Sequence, residues 1–400
     1  VGFRPFVFRL ATGLGLGGLV GNDSHGGFIE IEGASGLLHE FQERLLGEPP
    51  ALARIDHLEW QAMAVCGDRY FSIANSSSGS GSTLVPPDQA LCQDCRQELL
   101  DPRDRRHGYP FLNCTQCGPR FTIIQATPYD RPSTTMSSFP MCSDCLSEYH
   151  DPACRRFHAQ PNACSQCGPR LQWRQEESMQ ENGPVLDWAV QLLHSGGILA
   201  IKGLGGFHLA CDADNAASVA RLRQLKHRPH QPWACMARDL QTLKKRVQVD
   251  ENEARLLQDP ARPIVILGGG QLAAMLPYTG LHELLLQQGP ELLVMTSANP
   301  PGSPIEYRSP KAALTMADAV LSHNRDIQVP CDDSLAFVFR GIPTLLRRSR
   351  GFAPLPIELP HSVEPLLAVG GELKNTFCLA QGRQAFLSQH LGDIDRKSVV

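Results

Sequence analysis

Eight of the 14 cysteines stand in four C-x-x-C pairs: Cys92/Cys95, Cys114/Cys117, Cys142/Cys145 and Cys164/Cys167. The intervals between pairs are 18, 24 and 18 residues, so a C-x2-C-x18-C-x2-C unit occurs twice, offset by 50. Glu98 matches Glu148, Asp101-Pro102 matches Asp151-Pro152, and Cys-Gly-Pro-Arg recurs at 117–120 and 167–170. The unit is therefore an internal repeat. Two thiolates two residues apart in a tight turn can face one tetrahedral ion, and a second such turn closes the shell at Zn–S distances of about 2.3 Å. The expectation is two structural zinc ions held by these eight thiolates, with no open position for catalysis. Which pairs share an ion stays open. A disulfide framework suits small secreted domains, and a thioredoxin-like pair needs a single C-x-x-C in a βαβ setting, so both fit less well. Cys66, Cys211, Cys235, Cys331 and Cys378 stand singly and read as small hydrophobes, while Cys154 lies inside the second repeat where the first has Asp104 and is not expected to be a ligand.

A second chemistry lies in basic and hydroxyl residues further along. Lys202 leads into Gly203-Leu204-Gly205-Gly206-Phe207-His208, where glycines let backbone approach a ligand and lysine adds charge. Arg221, Arg223, Lys226 and Arg228 follow at a helix end. Thr296-Ser297-Ala298-Asn299 closes a buried strand, a place where α/β folds bind ligands. Arg347-Arg348-Ser349-Arg350 offers more guanidinium groups. If the three basic groups converge, they suit a triphosphate, because a leaving pyrophosphate needs several fixed cations. At the other end, Gly2-Phe3-Arg4 opens a helix whose N–H groups and guanidinium could take a phosphate, and Asn22 could position a water.

The elements that must hold these residues follow from periodicity. Residues 5–14 read as a helix, 22–26 as a hairpin turn, 28–32 as an alternating strand and 35–46 as a helix stopped at Gly47. Segments 54–60 and 69–74 read as strands, making a small α+β unit over 1–75, and 76–87 is a Ser/Gly/Pro linker. The cysteine repeats fill 88–172. From 183 to 360 the pattern is α/β, with helices at 185–194 and 216–225 and buried strands at 197–201, 263–267 and 292–295. Two short strands, 366–369 and 375–379, open a further element from 365 to 400.

Taken together, these motifs resemble the HypF carbamoyltransferase family of NiFe-hydrogenase maturation. Val-Gly-Phe-Arg, a helix and Gly-x-Val-x-Asn are similar to an acylphosphatase. Lys-Gly-x-Gly-Gly-Phe-His-Leu, Thr-Ser-Ala-Asn and Arg-Arg-Ser-Arg-Gly resemble a YrdC-like domain, and Gly370-Gly371-Glu372-Leu373-Lys374-Asn375 resembles the start of an actin/kinase-like domain. The resemblance implies a ferredoxin-type acylphosphatase-like unit, two four-cysteine fingers and a YrdC-like α/β domain. It implies that Arg4 binds the acyl phosphate of carbamoyl phosphate and Asn22 orients the attacking water. Lys202, Arg223, Lys226 and Arg347 would neutralise the phosphates of ATP, with magnesium as counter-ion, while Thr296, Ser297, Asn299 and Ser349 would bind the carbamoyl-adenylate. The carbamoyl group would pass to the C-terminal cysteine of HypE, for cyanide ligand synthesis. Against the family pattern, Leu19 and Gly27 replace an expected tryptophan and branched residue, and Ser303 an expected glutamate. The resemblance also makes the chain a piece of a longer protein, lacking the first strand of the small unit and most of the kinase-like domain.

Composition bounds the alternatives. The 400 residues are 42% hydrophobic and 20% charged, enough for cores in more than one domain. No apolar run spans a membrane and no secretory signal is evident, so a cytoplasmic protein is expected. A zinc-finger RNA binder is a second reading, but a net charge of −4 and 6% aromatics supply neither a basic field nor stacking platforms. Threonylcarbamoyl-adenylate synthesis is a third, although it needs neither the fingers nor the acylphosphatase-like unit.

Overall fold

The computed structural model describes residues 2–22, 27–50, 53, 55, 57–74, 84–176, 178–181, 183–300 and 303–394, except for the side chain of Asn22. The chain divides into two compact units. One comprises Val1–Leu84, Asn113–Gln116 and Met141–Asn162; the other comprises Val85–Leu112, Cys117–Pro140 and Ala163–Val400.

In the first unit, helix α1 (Phe3–Gly13) leads to strands β1 (Gly17–Asn22) and β2 (Gly27–Glu32), helix α2 (Ser35–Gly47) and strand β3 (Phe71–Ile73). The sheet order is β2-β1-β3, antiparallel on one side of β1 and parallel on the other. Val7, Leu10 and Ala11 from α1, Phe41 and Leu45 from α2, and Val20 from β1 form its core. The expected hairpin is present through the pairing of Asn22 with Gly27, while its tip, 23–26, lies outside the described residues. The strand expected at 54–60 is not formed. Ile55 and Leu58 pack on the core, but the described residues of that segment pair with no strand, and 59–70 are exposed. Apolar alternation there satisfies packing without a ladder. The linker at 76–87 lies largely outside the described residues.

The second unit begins with helix α3 (Gln93–Leu100) of the first cysteine repeat; the equivalent helix of the second repeat, α4 (Ser143–His150), belongs to the first unit. Then follow β4 (Leu171–Gln175), β5 (Ser178–Gln180), α5 (Val185–His194), β6 (Leu199–Lys202), β7 (Phe207–Asp212), α6 (Ala216–Leu225) and β8 (Ala234–Ala237). Helices α7 (Leu240–Lys244) and α8 (Glu251–Gln258) precede β9 (Ile264–Leu267), β10 (Leu272–Met275), α9 (Gly280–Gln288) and β11 (Leu292–Ser297). Last come α10 (Pro310–Leu314), β12 (Ala319–His323), β13 (Leu335–Phe339), β14 (Ile342–Arg347), β15 (Ile357–Val369) and β16 (Phe377–Leu387).

Strands β4–β14 form one 11-stranded mixed sheet, ordered β14-β13-β9-β10-β8-β11-β7-β6-β12-β4-β5. Apolar side chains cover both faces: Ile198 and Ala200 enter one core, Leu199 and Ile201 the other. Such two-sided burial explains why these strands read as continuous apolar runs. Strands β15 and β16 pair as a separate antiparallel ribbon, and the first extends back to Ile357, well before the expected start at 366.

Caps set the starts of two helices that lie beside the expected site residues. Asn215 accepts the Ser218 N–H at 3.1 Å to start α6, and Thr279 accepts the His282 N–H at 3.1 Å to start α9. Lys226 caps the other end of α6, its N–H donating to Leu222 O at 3.0 Å. Parts of the first finger belong to this same unit. Asp88 accepts the N–H groups of Arg120 (2.6 Å) and Thr122 (3.2 Å), Ala90 N–H donates to Pro260 O, and Leu91 N–H donates to Tyr278 O.

One glycine of the Lys202 motif is required by close approach. A Cβ on Gly205 would lie 1.9 Å from the carbonyl oxygen of Cys331, whose N–H also donates to Gly205 O at 3.0 Å. We expect Gly205→Ala to lower stability by about 1–3 kcal/mol through overpacking, read by denaturant unfolding; an unchanged midpoint would refute the close approach.

Candidate functional site

The two cysteine repeats each gather their own sulfurs. Those of Cys92, Cys95, Cys114 and Cys117 all lie within 4.8 Å of one another, as do those of Cys142, Cys145, Cys164 and Cys167. The open question of pairing is thus resolved: each C-x2-C-x18-C-x2-C unit closes on itself. Cys95 and Cys117 Sγ are 3.5 Å apart, and Cys164 and Cys167 Sγ 3.8 Å apart. These separations are far beyond an S–S bond of about 2.05 Å. They match the edge of a tetrahedron with about 2.3 Å Zn–S bonds, roughly 3.8 Å. Soft thiolates in a largely buried, closed set of four fit zinc as a structural ion. Cys154 stands outside both sets.

The basic and hydroxyl residues separate into two groups, so the expected convergence on one site is only partly met. In the first, Lys226 donates to the carbonyl oxygens of Ser297 (2.7 Å) and Asn299 and to Asn299 Oδ1 at 3.3 Å. Ser297 Oγ donates to Asn299 Oδ1 at 2.5 Å, and Asn299 Nδ2 to Ser303 O. Arg228 reaches Thr296 Oγ1 at 3.4 Å. Arg223 donates to the carbonyls of Arg228 and Gln231, both at 3.0 Å, and its guanidinium and that of Arg228 lie 5.1 and 4.9 Å from the Trp233 ring. Burial, then the nearby Arg228, brings Lys226 down to about 8. Burial also lowers Arg228, with Arg223 and Arg347 adding repulsion, so Arg347 belongs to this group. A concentration of positive charge that its own neighbours disfavour is poised for an anion. Arg228, read from sequence only as part of a basic helix end, is central here.

Lys202 belongs to the second group and has no described partner in common with Lys226. Its ammonium donates to the carbonyls of His323 (3.1 Å) and Arg325 (2.9 Å), and burial, with Arg325 beside it, brings it down to about 8. It lines a small cavity of about 30 Å3 with Leu91, Phe111 and Leu112 of the first finger and Tyr278 and Arg325.

Of the Arg347–Arg350 stretch, Arg347 is near enough to Arg228 to repel it, and its guanidinium donates to Asp333 O at 3.4 Å. Ser349 is fully buried, its hydroxyl 3.3 Å from Cys331 Sγ. Arg350 is buried on Asp333: its Nε donates to Oδ1 at 2.7 Å, and its other nitrogens donate to Ala261 O (2.8 Å) and Arg262 O (3.0 Å). His208 Nε2 lies 2.9 Å from Asp333 Oδ2. This triad was missed from sequence, where Asp333 has no motif of its own. In the first unit, Arg4 lies in the first turn of α1, behind Gly2 at φ 86°; the side chain of Asn22 lies outside the described residues, so its juxtaposition with Arg4 is not visible.

These parts define a modular protein: an acylphosphatase-type unit, two cysteine fingers suited to zinc, a YrdC-like domain and the beginning of a Kae1-like domain. Family models match in that order: Acylphosphatase over 1–73, HypF finger over 91–124 and 141–174, Telomere recombination (the Sua5/YciO/YrdC family) over 191–349, and HypF Kae1-like domain over 361–400. "Carbamoyltransferase HypF" of Rhizobium leguminosarum bv. viciae is 45% identical over 423 residues, covering 100% of this chain and 54% of the relative. Its counterpart in Synechocystis sp. is 46% identical over 415 residues, covering 99% and 54%. Full-length HypF solved in a phosphate- and nucleotide-bound form superposes with a TM-score of 0.90 at 43% identity, over 100% of this chain and 55% of that one. The HypF of T. kodakarensis gives 0.89 at 42%, over 100% and 54%. The chain belongs to the HypF carbamoyltransferase family. It spans about half the length of the relatives it matches. Among the described residues, no helix is long and apolar enough to cross a membrane.

Two outcomes are expected. Elemental analysis should give two zinc ions per chain, and Cys95→Ser should bind one fewer and unfold more easily; a zinc content unchanged by the substitution would reject that ligand set. Asp333 is pushed up by its burial, but Arg350 and His208 outweigh this and hold it well below the usual carboxylate range. The unfolded chain therefore takes up that proton first. The contribution is whole above a pH of about 4 and is lost as pH falls below it. Asp333→Asn should cost about 3–5 kcal/mol at neutral pH by stranding Arg350 and should flatten the acid limb of a stability–pH profile.

Proposed function

We propose that this chain carries the carbamoyl-phosphate-cleaving and adenylate-forming parts of a carbamoyltransferase. The observation that carries the reading is the Lys226–Arg228–Arg347 group set beside the Thr296–Asn299 strand end, in a chain of this family. In the first unit, Arg4 and the N–H groups opening α1 would bind the phosphoryl oxygens of carbamoyl phosphate. Asn22 would hold the water whose attack on phosphorus releases carbamate and inorganic phosphate. The alternating β1–β2 hairpin is suited to presenting such an amide.

In the second unit, a carbamate oxygen would attack the α-phosphorus of ATP. The new O–P bond forms as the bond to the bridging oxygen of pyrophosphate breaks, so negative charge builds on the leaving group. Lys226, Arg228 and Arg347 would stabilise that charge, helped by magnesium brought with the nucleotide. Ser297 and Asn299 already share a hydrogen bond, so they are preorganised to bind the adenylate, and Thr296 is held by Arg228. Arg223 acts as a positioning residue: its hydrogen bonds brace the Arg228–Gln231 loop. Ser349, turned inward, is better suited to fixing the Arg347 backbone than to touching the nucleotide. The solved relative described with phosphate and nucleotide is consistent with both substrates. The carbamoyl group would then pass, in the complete protein, to the C-terminal cysteine of HypE as precursor of a cyanide ligand. Holding an unstable carbamate and a reactive adenylate away from water is a physical reason for joining the units.

The test is carbamoyl-phosphate-dependent exchange of labelled pyrophosphate into ATP. Lys226→Ala and Arg347→Ala should each lower the exchange rate by about 10–1000-fold, as expected for loss of a charge-stabilising donor. Exchange that persists in both variants, or that depends on threonine and bicarbonate instead of carbamoyl phosphate, would overturn the assignment.

A further inference from the structure

The cavity beside Lys202 holds more uncompensated donors than a packing defect would. Arg325 is 95% buried, with a relative exposure of 5%, and lines it. Its guanidinium lies 5.5 Å from the Phe111 ring centroid and meets no hydrogen-bond acceptor among the described residues. Lys202 is 93% buried, at 7% exposure. Two of its three N–H groups go to carbonyl oxygens, leaving one without a described acceptor. Tyr278 Oη and His323 Nδ1, on the same wall, are buried and make no well-formed hydrogen bond among the described residues, although the Asp333 carboxylate lies close to the tyrosine hydroxyl. The absent side chain of Gly203 leaves space there: its Cβ would lie 3.2 Å from Tyr278 Oη and 3.4 Å from the unpartnered His208 Nδ1. Asp326 acts on Lys202 and Asp88 on Arg325 only across space; Asp88 Oδ1 is engaged by Arg120 and Thr122, and its buried Oδ2 makes no hydrogen bond to Arg325 among the described residues. Buried charges are ordinarily paired, and an orphaned buried donor costs about 1–3 kcal/mol, more for a charged group.

We propose that this cavity is a binding site for a small oxyanion, held by Arg325, Lys202 and Tyr278 and closed on one side by the first cysteine finger. The guanidinium offers a fork of parallel N–H groups for two oxygens, the ammonium a third contact, and the tyrosine hydroxyl a fourth. Leu91, Phe111 and Leu112 add apolar lining. Few charged groups in a small cavity suit a compact anion rather than a nucleoside. Leu91 precedes the zinc ligand Cys92, and its N–H donates to Tyr278 O, so the finger is part of the site's wall. The site is distinct from the Lys226 group. It deepens the proposed adenylation by supplying a place for the anionic acceptor, and for that role alone it rests on that reading.

Binding of two probes to the zinc-loaded chain tests it: 13C-bicarbonate for a carboxylate-type anion and inorganic phosphate for a tetrahedral one, each followed by NMR titration. At least one should saturate, and whichever does names the source. Arg325→Gln should weaken it at least tenfold. Tyr278→Phe, which keeps the ring that Arg350 covers at 3.6 Å, should weaken it several-fold without unfolding the domain. If Arg325→Gln does not fold, Tyr278→Phe decides alone. Failure of both probes to saturate, or binding that Tyr278→Phe and every folded Arg325 variant leave unchanged, overturns the proposal. AMP titrated into the same samples separates the two readings. Its binding should survive Arg325→Gln and be lost in Lys226→Ala; the reverse pattern would place the nucleotide in this cavity and overturn the proposal.

Discussion

Asp333 is the buried carboxylate on which the second unit turns. One oxygen takes the Arg350 guanidinium and the other the His208 imidazole, and all three residues are nearly or fully buried. Arg350 in turn donates to the carbonyls of Ala261 and Arg262 just before β9, and covers the Tyr278 ring. One ionic knot therefore ties the start of β7, the turn before β13, the stretch after β14 and the approach to α9. Well-packed apolar residues could supply comparable stability, whereas removing one member strands the others. What the knot adds is fixed geometry: the Arg347 backbone, His208 and Tyr278 are all held by it or beside it.

The cysteine fingers take on a different meaning against that frame. Their spacing in the sequence announces metal, and a closed shell of four thiolates excludes catalysis at the ion. A spacer would satisfy both facts. Yet Asp88, Ala90 and Leu91 hydrogen-bond into the α/β unit, and Phe111 sits against Arg325. Zinc at the first finger would fix a wall of a cationic cavity while touching no reacting atom, an effect on chemistry exerted wholly through shape.

The repeat, the four-part order of domains and most buried strands were legible in the sequence because each leaves a local mark: fixed spacing, glycine clusters, unbroken apolar runs. The failures are equally physical. Segment 54–60 has the alternation of a strand, but alternation records which side chains are buried and not whether a neighbouring backbone is there to pair. Lys202, Lys226 and Arg347 all looked like phosphate ligands, because charge type and position near a strand end are visible in sequence. The side of the sheet to which a long side chain turns is not. Asp333 and Arg325 carried no signal at all, since a lone acid or base in a loop acquires its meaning only from partners far away in the chain.

The division of the cations into two groups bears on how such a protein would handle a labile anion. Lys226, Arg228 and Arg347 repel one another and gain from a polyanion that neutralises all three at once, as a triphosphate would. Lys202 and Arg325 face a small, partly apolar space, where one compact anion compensates both. A single merged cluster would bind the larger polyanion most tightly and exclude the smaller one. Keeping the groups apart, with their backbone set by one buried ionic knot, lets each ligand meet the charge density that suits it. The two can then be present together, which any reaction between them requires.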